Sequence, residues 1–146
     1  MQEVKNQMKI TISGHSQNES VARMCVSAFA AQLDPTIEEI SDIKAAVSEA
    51  VTNCIVHAYP NSIGEIYLDL KILGDNVLYI KIKDKGTGIE DVKKAMEPLF
   101  TTSPESERAG LGFAVMESFM DKLTVRSKPD KGTSVTMTKR INGRNE

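Results

Sequence analysis

Residues 66–89 read IYLDLKILGDNVLYIKIKDKGTGI, and their period of two decides the fold class. Ile66, Leu68, Leu70 and Ile72 alternate with Tyr67, Asp69, Lys71 and Leu73. Gly74-Asp75-Asn76 supplies turn chemistry, and Leu78, Ile80 and Ile82 resume the alternation on the way back. Successive strand side chains point to opposite faces, so this pattern predicts an antiparallel hairpin buried on one face only. A one-sided sheet needs helices on its apolar face.

The flanking sequence provides them. Upstream, Lys9 to Ser13 alternates briefly, with Ile10 and Ile12 on one face, as an edge strand would. Ser16 and Glu19 carry the spacing of a capping box. The stripe Val21, Met24, Cys25, Ala28, Phe29 and Leu33 predicts the core face of a first helix, ended by Asp34-Pro35. Thr36 and Glu39 form a second capping box, opening a helix to about Ala58 with Ile40, Ile43, Val47, Val51, Cys54 and Ala58 inward. Downstream, a short helical piece over 90–96 precedes a polar, turn-rich stretch over 97–110. A helix over 111–123 and two strands, 122–127 and 133–138, follow, with the turn KPDKG between the strands and a frayed INGRNE tail. The expected architecture is α+β: a two-layer sandwich of a mixed, mostly antiparallel sheet with helices on one face.

Composition limits the function classes. The 146 residues suit one domain, and 18 Lys+Arg against 20 Asp+Glu argue against a direct nucleic-acid binder. Neither a membrane-length apolar run nor a signal-peptide pattern occurs. Cys25 and Cys54 fall inside helical patterns, as reduced core thiols of a cytoplasmic protein would.

Three features carry chemistry. Glu49, Asn53 and His57, spaced by four, form a row along the second helix beside Ala46 and Ala50. The row spans about 12 Å at ~1.5 Å per residue. Alanine neighbours fit a row facing a pocket better than a solvated edge. A carboxylate, an amide oxygen and an imidazole there can polarise a hydroxyl, hold Mg²⁺ or contact phosphate. Asp84-Lys85-Gly86-Thr87-Gly88 follows a strand directly, with glycines that let the backbone approach a ligand and an Asp able to accept from an exocyclic amine. Asp91 occupies the third-glycine position of a dinucleotide fingerprint, and no P-loop stretch is present. Gly110-Leu111-Gly112 opens a helix, where free N–H groups attract anions, and Arg108 precedes it.

Taken in order, E-x-x-x-N, D-x-G-x-G, a loop, G-x-G and a final Gly132-Thr133, the chain resembles the GHKL ATPase/kinase superfamily, which has the Bergerat ATP-binding fold. SQNES (16–20), SEAVTNCIVHAY (48–59), PLFTTSPESERAGLGF (98–113) and MESFMD (116–121) look like its branch of anti-sigma protein-serine kinases. The resemblance covers nearly the whole chain and implies one ATP-binding domain over 1–146 with a lid over about 98–109.

It further implies Glu49 as general base, Asn53 as Mg²⁺ ligand, and Asp84 bonding the adenine amino group, partly through a water shared with Thr133. Gly86 and Gly88 would line base and ribose. Arg108 would reach the γ-phosphate, and Gly110, Leu111, Gly112 and Phe113 would hold the β-phosphate. Arg23, on the first helix opposite its apolar stripe, matches a residue that meets partners. The implied cofactors are ATP and Mg²⁺. The implied partners are a sporulation sigma factor, held inactive, a STAS-domain anti-anti-sigma factor, phosphorylated on serine, and a second copy in a homodimer. No phosphoacceptor histidine domain or transducer domain accompanies these motifs, and His57 has no firm family role. Alternatives are an ATP-gated sigma-binding module with little turnover, a stress-response kinase of the same branch, and a detached histidine-kinase catalytic domain.

Overall fold

A computed structural model describes residues 2–96 and 112–143. Arg108, Gly110, Leu111 and the expected lid lie outside the described residues. In chain order the elements are β1 (Val4–Ser13), α1 (Asn18–Ala30), α2 (Ile37–Asn53) with a π turn over Cys54–Ala58, and β2 (Glu65–Leu73). Then come β3 (Val77–Asp84), α3 (Val92–Ala95), α4 (Phe113–Phe119), β4 (Lys122–Lys128) and β5 (Gly132–Arg140). The five strands form one sheet in the order β1-β2-β3-β5-β4. All four pairings are antiparallel, so the parallel contact of a mixed sheet is not among them.

The hairpin stands as its alternation requires. Ile66, Leu68, Leu70, Leu78, Ile80 and Ile82 are at most 1% exposed on the helix-facing side. Asp75 and Asn76 turn the chain with φ of 61° and 59°, values that short polar side chains tolerate. The edge strand is longer than its sequence pattern, because β1 pairs from Val4 to Ser13 along the whole of β2. Backbone pairing needs no side-chain alternation, and an outermost strand tolerates the polar run over 5–7.

The helix layer departs from the sequence reading at α1. Its buried residues are Ala22, Val26, Phe29 and Ala30, whereas Val21 and Met24 are 48% and 59% exposed. Apolar residues surround nearly the whole helix, so their spacing does not define its phase. Ala22 and Ala30 are fully buried beside Val26 and Phe29. Ser16 and Glu19 do not form a capping box either. The N-cap is Gln17 without a side-chain bond, and Glu19 instead lies 3.9 Å from Arg23.

The Thr36–Glu39 box is present in both directions: Glu39 N–H donates to Thr36 Oγ1 at 3.1 Å, and Thr36 N–H to Glu39 Oε1 at 2.9 Å. Residues 141–143 are not frayed. Ile141 is buried, and the Asn142 and Gly143 N–H groups donate to the Glu39 carboxylate at 2.8 and 3.1 Å. Burial works to raise the Glu39 pKa, but three backbone donors and the Thr36 hydroxyl outweigh it and hold it below 4.5. The capping residue therefore also ties down the chain after β5.

Candidate nucleotide site

One cavity of about 290 Å³ opens between α2 with its π turn, the ends of β3 and β5, and the start of α4. Its walls are mostly apolar: Ala50, Ala58, Ile82, Ile89, Phe113 and Val135. Asn53, His57, Asp84 and Thr133 supply the polar groups. An apolar slot with few convergent polar groups suits a flat heterocycle.

Asp84 is the deepest of these, 3% exposed at the last position of β3. A carboxylate is costly to bury unless donors surround it. Its Oδ1 accepts from Gly86 N–H at 3.0 Å and Thr133 N–H at 3.1 Å. Thr133 stands opposite Asp84 in the β3–β5 register, so the sheet itself brings the second donor. The neighbouring hydroxyls have a defined direction. Ser127 Oγ donates to the Gly132 carbonyl at 2.9 Å and accepts from Ile89 N–H at 2.7 Å. A hydroxyl has one proton, so in the 2.8 Å Ser127–Thr133 contact Thr133 donates, leaving its own oxygen an acceptor beside Asp84.

The turn after Asp84 is clamped to the end of the long helix. Helix-terminal carbonyls lack internal partners. Here the Ala58 carbonyl accepts from Thr87 N–H at 3.0 Å, and the His57 carbonyl from Thr87 Oγ1 at 3.2 Å. A Cβ on Gly86 would overlap the Ala58 carbonyl, so glycine permits this approach. Tyr59 Oη accepts from Lys85 N–H at 2.7 Å and donates to the Glu65 carbonyl at 2.8 Å, joining helix end, turn and β2. Burial raises the Tyr59 pKa despite the Lys85 donor, so the phenol keeps its proton.

Glu49 sits one turn before Asn53 and meets the start of α4. Gly112 there has φ of 67°, and a Cβ on it would overlap the Glu49 carboxylate. The predicted residues Asn53, Asp84, Gly88, Phe113 and Thr133 thus line one cavity, with Gly86 behind it and Glu49 beside Gly112 at its edge. Arg23 lies on α1, which contributes no lining residue. Its expected place opposite an inward Met24 does not hold, since Met24 itself is exposed.

Burial holds the half-buried His57 below its ordinary pKa of 6.5, in the neutral form at pH 7. Cys54 also lines the cavity. Burial first, then the Asp84 charge and a hydrogen bond with Asp84, push its thiol pKa well above 9.0. Both cysteines are free. Sequence reasoning missed Tyr59, Ser127 and the wall position of Cys54. Only the register opposite Thr133 singles out Ser127, and an apolar stripe gives Cys54 no separate signal.

The chain as a whole is similar to known proteins. A family described as a histidine kinase-like ATPase domain matches residues 14–139. An anti-sigma F factor of Caldanaerobacter subterraneus subsp. tengcongensis is 64% identical over 143 residues, 98% of this chain and 99% of the relative. The chain belongs to the anti-sigma F factor family. The anti-sigma F factor of Bacillus subtilis (strain 168) is 50% identical over 139 residues, 94% of each chain. In architecture, the RsbU and RsbW domains of a Mycobacterium tuberculosis protein superpose with a TM-score of 0.66 at 20% identity. That match covers 94% of this chain and 33% of the other. The histidine kinase domain of a blue-light activated kinase from Erythrobacter litoralis gives a TM-score of 0.58 at 18% identity, covering 84% of this chain and 61% of that one. The anti-sigma F factor family is thus carried here on a histidine kinase-like ATPase fold. Among the described residues no helix is long and apolar enough to cross a membrane.

Proposed function

We propose that this chain is a cytoplasmic anti-sigma factor that binds Mg-ATP and phosphorylates a serine of a STAS-domain anti-anti-sigma factor. The observation that carries the reading is the buried Asp84 carboxylate. Its Oδ1 is committed to two backbone donors at the floor of an apolar slot that also contains Asn53. Adenine fills such a slot, giving its amino proton to Asp84 with Thr133 accepting through a water. Gly86 and Gly88 flank base and ribose. Gly110, Leu111, Gly112 and Phe113 hold the β-phosphate, and Arg108 the γ-phosphate.

The residues fit a magnesium ion in one particular way. No group of three or more His, Cys, Asp or Glu able to hold a metal exists among the described residues. Mg²⁺ in phosphoryl-transfer sites takes one or two protein oxygens and completes its shell with phosphate and water. The Asn53 amide oxygen would supply such a donor, and Mg²⁺ bound there would neutralise charge on the phosphates. Glu49 accepts the proton of the partner's serine. As the serine oxygen bonds to the γ-phosphorus, the bond from that phosphorus to the β-phosphate oxygen breaks, leaving phosphoserine and ADP.

Sigma-factor binding is the second activity, directed to a sporulation sigma factor, with Arg23 at the partner surface. A homodimer is supported by β1, whose outer edge has no partner strand among the described residues. The test incubates the chain with γ-labelled ATP, Mg²⁺ and a STAS-domain candidate. The expected product is acid-stable phosphoserine on that partner. Acid-labile label, or none beyond free phosphate, would sink the serine-kinase reading.

A further inference from the structure

The sheet has a second face, which the nucleotide site does not use. Partners across the register share a face, and Leu70, Ile80 and Met137 mark the buried one. On the other face stand Lys9 of β1, Lys71 of β2, and Lys81 and Lys83 of β3. Arg140 of β5 and Lys122, Arg126 and Lys128 of β4 continue it. Among the described strand residues of this face, Glu65 and Asp69 are the negative ones against these eight cations. The chain as a whole has 18 cations and 20 anions, so ten cations and eighteen anions remain for everything else. A nearly neutral protein is therefore strongly polarised, positive on its open sheet.

Among the described residues the ion pairs are Arg23–Glu19 and Lys139–Asp42, neither on this face. These cations repel one another with no described carboxylate in salt-bridge range, an arrangement that an external anion would relieve. A shallow groove of about 310 Å³ runs over Lys9, Tyr67, Asp69, Lys81 and Lys85.

We propose that this face docks an acidic segment of a protein partner. An extended segment laid along the strands presents alternate side chains at roughly 6.6–6.8 Å, the interval that separates Lys81 from Lys83 and Arg126 from Lys128. Nucleic acid fits less well. The Lys85 and Lys71 ammonium groups lie over the rings of Tyr67 and Tyr79 at 5.0 and 4.8 Å, where they compete with base stacking. Among the described residues no helix or ribbon protrudes from this face to enter a groove. Asp69, bonded by Gln7 Nε2 at 2.8 Å, stands between Lys9 and Lys81, where it can accept from a backbone N–H of a peptide, a donor that a phosphate chain lacks. This surface lies across the sheet from the cavity and does not depend on the kinase reading.

The test is fluorescence anisotropy of labelled poly-L-glutamate with the full chain at about 0.05 M salt, where exposed charges are weakly screened. Binding is expected to be saturable. It should weaken roughly tenfold in the triple variant Lys9→Glu, Lys71→Glu, Lys81→Glu, with ATP affinity unchanged. If the reversal variant does not fold, the Lys→Gln set at the same positions should still weaken binding severalfold. Absence of binding, equal binding by either folded variant, or tighter binding of duplex DNA or phosphatidylserine vesicles would overturn the proposal. ATP titration of the same samples reports the nucleotide reading separately.

Discussion

Helices α1 and α2 lie side by side, and they obey their sequence to very different degrees. In α2 the capping box forms, the residues Ile43, Val47 and Val51 are buried, and the row of Glu49, Asn53 and His57 reaches the cavity edge and wall. In α1 the expected capping box is absent and the apolar stripe is rotated, leaving Val21 and Met24 in solvent. The difference is one of crowding. Helix α2 packs against both α1 and α4, so its phase is constrained on more than one side. Helix α1 packs chiefly against α2, so it is constrained on fewer sides.

The largest effect is expected at Glu49 on α2. Glu49→Ala should retain ATP binding and lose about 10²–10⁴-fold in phosphoryl transfer, the usual worth of a general base. Labelled-phosphate transfer together with an ATP titration checks this, and undiminished transfer would remove Glu49 from its role. Next is the core. Ile43→Ala on α2, fully buried, should cost about 2–5 kcal/mol, whereas Met24→Ala on α1 should cost within ~0.5 kcal/mol. Urea unfolding of the pair measures the gap, and equal losses would mean that Met24 is covered in solution.

The N-termini of the two helices differ as well. Thr36→Ala should lose about 1 kcal/mol, while Ser16→Ala should change thermal stability negligibly, because Ser16 makes no side-chain cap bond. The smallest effect is in acid. Glu39 has a depressed pKa when folded, so its stabilisation is present above the ordinary carboxylate value of 4.5 and lost as pH falls through the lower folded value. The melting-temperature difference between wild type and Glu39→Gln should therefore be constant above about pH 5 and shrink below it. A difference that grows in acid would contradict the assigned direction.

Much of the site was legible because its motifs are local. Asp84 ends a strand, Gly86 and Gly88 follow within a few residues, and Glu49 and Asn53 share one helix line, so short-range rules sufficed. Gly112 shows where they stop. Its glycine was readable as a helix start, but the reason for it, the Glu49 carboxylate where a Cβ would sit, belongs to a residue 63 positions earlier in the chain. Ser127 is similar: a serine in an edge strand acquires meaning only from Thr133 across the ladder.

The sequence alone determined the antiparallel hairpin, the α2 cap and the order of the motifs, because alternation, capping and turn chemistry act over a few residues. Tertiary structure alone decided the phase of α1, the clamp of Thr87 and Tyr59 on the helix end, and the anchoring of residues 141–143 by Glu39. It also gathered the cations of five strands onto one face. Each of these depends on distances between segments far apart in the chain, which packing sets and periodicity does not encode.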